Sequence, residues 1–133
     1  MMTNFSGVTI LYVEDNPDNR MLIQRVIQAE GFQFAEAANA LEAWQSIHAQ
    51  PPDLILMDIN LPGVDGYTLT SKLKSIPRFA RIPIVAITAN VMKGDREKTL
   101  QAGCDGYIQK PVDIDLLPAQ INHFLKEALR ADI

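Results

Sequence analysis

Short apolar runs alternate with amphipathic stretches along the whole chain. Val8-Thr9-Ile10-Leu11-Tyr12-Val13 and Leu54-Ile55-Leu56-Met57 are apolar at nearly every position, as is the run from Ile82 to Ile87. Runs of this length, rich in branched residues, predict strands buried on both faces. Phe32 to Ala37 and Tyr107-Ile108-Gln109 predict two weaker strands. Between them the period changes to helical. Asn16-Pro17 opens a first helix carrying Leu22, Ile23, Val26 and Ile27, which ends at Gly31. Asn39 with Glu42 three residues on resembles a capping box for a second helix, with Ala40, Trp44 and Ile47 on one face and Pro51-Pro52 barring its continuation. Leu69, Leu73 and Ile76 form the i, i+4, i+7 stripe of a third. In the last helix Leu117, Ile121, Phe124 and Ala128 face inward; Asp115 is the expected cap, with Pro118 in the first turn.

The fourth helix, about Val91 to Ala102, breaks the rule. After Val91 and Met92 it is almost entirely polar until Leu100. Apolar burial stabilises by about 25 cal/mol per Å², so so thin a stripe predicts the least firmly docked helix. Five strands alternating with five helices predict an α/β fold, a parallel sheet covered on both faces. Ligands in such sheets bind beyond the carboxyl ends of the strands.

That rim is where the acids fall. Glu14-Asp15 directly follows the first strand and Asp58 the third, while Thr88 ends the fourth and Lys110 the fifth. Like charges about 4 Å apart repel by roughly 4 kcal/mol at an effective dielectric near 20. Folding gains nothing by gathering carboxylates, so their convergence points to a bound cation.

Composition narrows the classes. The 133 residues suffice for one core, and 47% apolar with 21% charged residues is an ordinary globular balance. There is no basic, hydrophobic leader at the N-terminus and no apolar run near the ~18 residues of a membrane span, so the chain is expected to be cytoplasmic. Cys104 is the only cysteine, which leaves no internal disulfide and no zinc spacing; it reads as a small helix-end filler. A net charge of −4 argues against bulk nucleic-acid binding. Seven of the twelve Lys and Arg residues lie between Lys72 and Lys98, as a solvated basic face or as a docking surface for an acidic partner. His48 and His123 read as surface histidines, and Trp44 as a packing residue.

Four segments resemble one family: Val-Glu-Asp-Asn at 13–16, Asp-Leu-Ile-Leu-Met-Asp-Ile-Asn-Leu-Pro-Gly at 53–63, Ile-Thr-Ala-Asn at 87–90 and Tyr-Ile-Gln-Lys-Pro at 107–111. Each alone is weak. Together, in order and each at a strand end, they are similar to the receiver domain of bacterial two-component response regulators. The likeness runs from about Val8 to Leu129. It is strongest to stand-alone regulators of the DivK type and to receiver modules of hybrid histidine kinases. It implies a CheY-like, flavodoxin-like doubly wound sheet of order 2-1-3-4-5, and one receiver domain over residues 1–133 with no output domain.

The resemblance also implies roles. Asp58 would be the phosphoacceptor, modified to 4-aspartylphosphate. Glu14, Asp15, Asp58 and the backbone carbonyl of Asn60 would hold Mg²⁺. Thr88 would hydrogen-bond the incoming phosphoryl group and Lys110 would pair with it. Tyr107 would be the aromatic switch that follows Thr88, and the Lys110-Pro111 bond would be cis. The first acid is Glu14, where many members have Asp. The donor would be a phosphohistidine on a sensor kinase or histidine phosphotransfer protein, docking on the first helix. Output would pass through the fourth helix, fifth strand and fifth helix to a downstream protein, and that face could also form a homodimer. Such a chain catalyses only its own phosphorylation and dephosphorylation. Asn60 and Asn90 could steer or block an attacking water, or be plain loop amides.

Three rivals remain. A Mg²⁺-dependent phosphatase working through an aspartyl phosphate would carry an acid two residues past the nucleophile, where this chain has Asn60. A nucleotide or flavin module would need a Gly- or Ser/Thr-rich phosphate cradle, where this chain has Glu-Asp-Asn-Pro. An interaction-only pseudo-receiver would lack the site residues.

Overall fold

The computed structural model describes residues 7–89 and 93–131. Asn90, Val91 and Met92, assigned above to a strand-end loop and the start of a helix, lie outside the described residues. Five strands alternate with five helices: β1 (Thr9–Val13), α1 (Pro17–Ala29), β2 (Gln33–Ala37), α2 (Ala40–Ala49), β3 (Leu54–Asp58), α3 (Gly66–Lys74), β4 (Ile84–Thr88), α4 (Lys93–Gln101), β5 (Gly106–Gln109) and α5 (Leu117–Ala131). All strand pairs are parallel, in the order β2-β1-β3-β4-β5. This is the CheY-like, flavodoxin-like arrangement.

The pleat sorts each apolar run onto two faces. Leu11, Val13, Ile55, Met57, Ile84 and Ala86 pack with Ala43 and Ile47 of α2 and Leu69 and Leu73 of α3. Ile10, Tyr12, Leu54, Leu56, Val85, Ile87 and Ile108 pack on the other face with Ile23 and Ile27 of α1 and Leu117, Ile121 and Leu125 of α5. Both faces are covered, so β1, β3 and β4 need an unbroken apolar run.

Local chemistry sets the helix ends. The Asn16 Oδ1 accepts the N–H groups of Asp18 and Asn19 at 2.9 and 3.1 Å, with Pro17 as the first helical residue of α1. Gly31, at φ +88°, turns the chain out of that helix. The Asn39 Oδ1 accepts the Glu42 N–H, but the Glu42 carboxylate reaches back to the N–H of Ala38, one residue before the position a capping box uses. Gly66 begins α3 where a Cβ would stand 2.6 Å from the Asp58 carbonyl oxygen, so only glycine lets this helix start against the end of β3.

Several expectations change. Asp113, and not Asp115, organises the entry to α5: its Oδ1 accepts the N–H groups of Asp115 and Leu116. The turn from Ile114 to Leu116 puts Asp115 inside the turn, too late to cap it. Leu22 of α1 faces solvent at 44% exposure. Ile76 lies past the end of α3 and still packs on the core. His48 is not a surface histidine; it is half-buried, with Nδ1 2.8 Å from the Trp44 carbonyl oxygen and its ring against Trp44 and Phe79. His123 is exposed, and Trp44 packs against the core, as expected.

The basic stretch is divided in the same way. Lys74 is half-buried, and its ammonium donates to the carbonyls of Ala80 and Ile82 and to Asp105 Oδ2. That oxygen also accepts the Ile84 N–H, so Lys74 ties the α3–β4 connection to β5 and adds nothing to an open basic face. Cys104 is buried beside Thr70, and burial pushes its thiol up to about 11. Among the described side chains of α4, Thr99 alone is buried, and Leu100 is 59% exposed.

Candidate functional site

The sheet register assembles the site. Val13 pairs with Met57, which brings the next residues, Glu14 and Asp58, side by side at the carboxyl ends of β1 and β3. Asp58 pairs with Ile87, so Thr88 follows immediately on β4. Thr88 pairs with Gln109, and its carbonyl accepts the Lys110 N–H at 2.8 Å. Four strand ends thus deliver Glu14, Asp58, Thr88 and Lys110 to one rim. Glu14, Asp58 and Thr88 are buried, at 2%, 2% and 3% exposure. Asp15, beside them, faces solvent.

The carboxylates converge closely. One oxygen from each of Glu14, Asp15 and Asp58 lies within 4.8 Å of the others. The Lys110 ammonium donates to Asp58 Oδ2 at 3.0 Å and stands 3.6 Å from Glu14 Oε2. The Asn60 N–H donates to Asp58 Oδ1 at 3.0 Å. Both Asp58 oxygens are therefore fixed before any ligand arrives.

Burial works against the Asp58 carboxylate, but the neighbouring Glu14 carboxyl, the Asn60 N–H and Lys110 outweigh it and hold its pKa below the usual carboxylate range. Burial and the neighbouring Asp58 push Glu14 up to about 7. Burial lowers Lys110, but Asp58 and Glu14 more than compensate and hold its ammonium charged. One of two crowded carboxylates is thus driven to hold a proton when no metal is present.

A divalent cation fits this donor set. The Glu14 Oε2 is buried without a hydrogen-bond partner, the kind of orphaned acceptor that native structures rarely leave unexplained. The donors are all oxygens, as a hard cation requires. Three carboxylates and one ammonium leave a formal charge of −2, which one divalent ion cancels.

Other expected residues fall where the pattern put them. The Lys110-Pro111 bond is cis. Tyr107 sits on β5 at 37% exposure, with the Arg96 guanidinium carbon 5.9 Å from its ring centroid. Asn60 is exposed in the loop after β3. Two residues of the site were missed. Asn19 Nδ2 donates to Glu14 Oε1 at 2.9 Å, and an Arg20 guanidinium nitrogen donates to the Glu14 carbonyl at 2.8 Å. Arg20 also pairs with Glu36 of β2 at 3.5 Å. Their signal was faint: polar residues in the first turn of a helix that begins just past a strand end.

The model of the response regulator receiver domain matches residues 10–122. This chain belongs to that family. The polar-differentiation response regulator DivK of Brucella anthropi is 40% identical over 120 residues, covering 90% of this chain and 98% of DivK. The receiver domain of the sensor histidine kinase PA1611 from Pseudomonas aeruginosa, solved with a magnesium ion in its active-site cleft, superposes with a TM-score of 0.83 at 37% identity, covering 91% of this chain and 99% of that one. Vibrio cholerae CheY4 shares the fold, with a TM-score of 0.84 at 20% identity over 88% of this chain and 98% of CheY4. This receiver is a DivK-like module of a two-component response regulator. Among its described residues, no helix is long and apolar enough to cross a membrane.

Proposed function

We propose that this receiver accepts a phosphoryl group on Asp58 from a phosphohistidine of a sensor kinase or histidine phosphotransfer protein. Mg²⁺ would be held by Glu14, Asp15, Asp58 and the backbone carbonyl of Asn60, where it would neutralise the carboxylates and bind a phosphoryl oxygen. The observation that carries the proposal is the state of Asp58: buried, kept ionised, and held by Lys110 and the Asn60 N–H beside two further carboxylates.

In this reading an Asp58 oxygen forms the new P–O bond while the P–N bond to the donor imidazole breaks. The electron pair leaves with the imidazole nitrogen, which takes a proton from water. Charge spreads over the equatorial phosphoryl oxygens, and catalysis is mostly positioning and electrostatics. The Lys110 ammonium, already 3.0 Å from Asp58 Oδ2, needs only a short shift to reach one of them. The Thr88 hydroxyl, buried at the end of β4, donates to another. Drawing Thr88 inward opens space that Tyr107 can enter, and α4, with one buried described side chain, shifts at small cost.

The α4-β5-α5 face is then the output surface toward a downstream protein, or toward a second copy of the chain. The module works in the cytoplasm as one receiver domain and turns over no separate substrate. A phosphatase acting through the same aspartate is disfavoured by Asn60, whose amide cannot protonate a leaving group.

Incubation with Mg²⁺ and acetyl phosphate tests the proposal. Intact-mass analysis should show a gain of one phosphoryl group, abolished by Asp58→Asn and by chelation. Labelling that survives in Asp58→Asn would reject Asp58 as the acceptor. Continued turnover of donor after labelling saturates would favour the phosphatase.

A further inference from the structure

The first acid of the site carries one more methylene than the aspartate many receivers have there, and a longer arm has more ways to point. Its two oxygens here have unlike surroundings. Glu14 Oε1 accepts the Asn19 Nδ2 at 2.9 Å. Glu14 Oε2 has no hydrogen bond and stands 3.6 Å from the Lys110 ammonium, toward Asp58. Asn19 is itself fixed, because its backbone N–H is one of the two that the Asn16 cap holds. The Arg20 guanidinium grips the Glu14 carbonyl and thereby the backbone on which the arm swings.

We infer that Asn19 is a positioning residue for the metal site: it holds one oxygen of Glu14 so that the other faces the cation. The inference rests on the Mg²⁺ reading above and extends it to a residue that touches neither the metal nor the phosphoryl group. Asn19 spends its donor on the oxygen that does not ligate, so it competes with no ligand bond. It also limits the rotamers of Glu14, so less freedom is lost when the cation binds. Holding a ligand's orientation from behind is a recurring device of metal sites.

The test is titration with MgCl₂ alone, read by calorimetry, on four proteins: wild type, Asn19→Ala, Glu14→Asp and the double variant. Asn19 is exposed and helical, where alanine is well tolerated, so the fold should survive. Asn19→Ala should weaken Mg²⁺ about tenfold, or about 1.4 kcal/mol. In the Glu14→Asp background the same change should matter less than about twofold, since the partner it positions is gone. An equal loss in both backgrounds would mean a general structural effect and overturn the inference. So would unchanged affinity in Asn19→Ala. A wild-type protein that takes up no Mg²⁺ would instead overturn the metal reading itself, and the inference with it.

Discussion

The two ends of the carboxyl rim are held very differently. On the β1 side the loop carrying Glu14 and Asp15 is fastened from three directions. The Glu14 N–H donates to Ala37 of β2, Asn19 and Arg20 of α1 hold its side chain and carbonyl, and Arg20 reaches on to Glu36. On the far side, the described side chains of α4 offer the Thr99 hydroxyl, 3.1 Å from that of Tyr67 on α3, the Arg96 guanidinium over Tyr107, and almost no apolar surface. A cation-binding cup needs fixed oxygens, and an output element needs a small barrier between its positions. The fold supplies stiffness where charge is gathered and leaves it out where a signal would leave.

The largest expected difference between the two regions is in stability. Leu56 of β3 is fully buried at 0% exposure, whereas Leu100 of α4 is 59% exposed. Leu56→Ala should cost about 2–5 kcal/mol, through lost transfer energy and the cavity left behind. Leu100→Ala should fall within about 0.5 kcal/mol of wild type. Urea melts of both variants measure this directly. A Leu100→Ala cost near that of Leu56→Ala would show that α4 is as firmly docked as the sheet.

Next in size is a pH effect confined to the stiff side. Without metal, Glu14 is pushed from 4.5 to about 7 by burial and then by Asp58. Between those values the folded chain holds a proton that the unfolded chain has released. This contribution is therefore complete below about 4.5 and lost as the pH rises through about 7, on the order of 1–3 kcal/mol. Asp58 acts the other way, since its lowered value favours the folded state above its unfolded value and loses that as the pH falls. Metal-free protein should then melt lower at pH 7.5 than at pH 5 by more than Glu14→Gln does. Mg²⁺ should close the gap by favouring the ionised carboxylate. An equal gap in Glu14→Gln would assign the effect elsewhere.

Much of this was readable in the chain because strand ends are. Apolar runs covered on both faces stop abruptly, so Glu14, Asp15, Asp58, Thr88 and Lys110 could be placed on one rim from the sequence. What escaped were choices between neighbours of similar chemistry. Asp113 and Asp115 both precede α5, and only the turn geometry shows that the first holds the free N–H groups. Asn19 and Arg20 look like any polar first turn until β1 and α1 are set together. His48 carries a polar label, yet packing between Trp44 and Phe79 half-buries it, because an imidazole bonded to a carbonyl loses little by leaving water. Lys74 sits in a basic stretch, but two backbone carbonyls and Asp105 satisfy its charge locally. Periodicity reports which face a residue takes, and not which partner it finds there.

The smallest effect tests the loose side itself. The Tyr67 and Thr99 hydroxyls link the first turn of α3, which abuts the Asp58 carbonyl through Gly66, to the one buried described side chain of α4. Tyr67→Phe keeps the ring and removes the hydroxyl, so it should cost about 0.5–1.5 kcal/mol. Because Thr99 is the one buried side chain among those described in α4, the loss should appear as local opening there. Amide exchange followed by peptide mass analysis should speed up several-fold across α4 and stay at wild-type rates in β1 and β3. Exchange that rises equally in all three would mean the hydroxyl pair supports the whole fold, and the division between a fixed cup and a lightly tethered helix would fail.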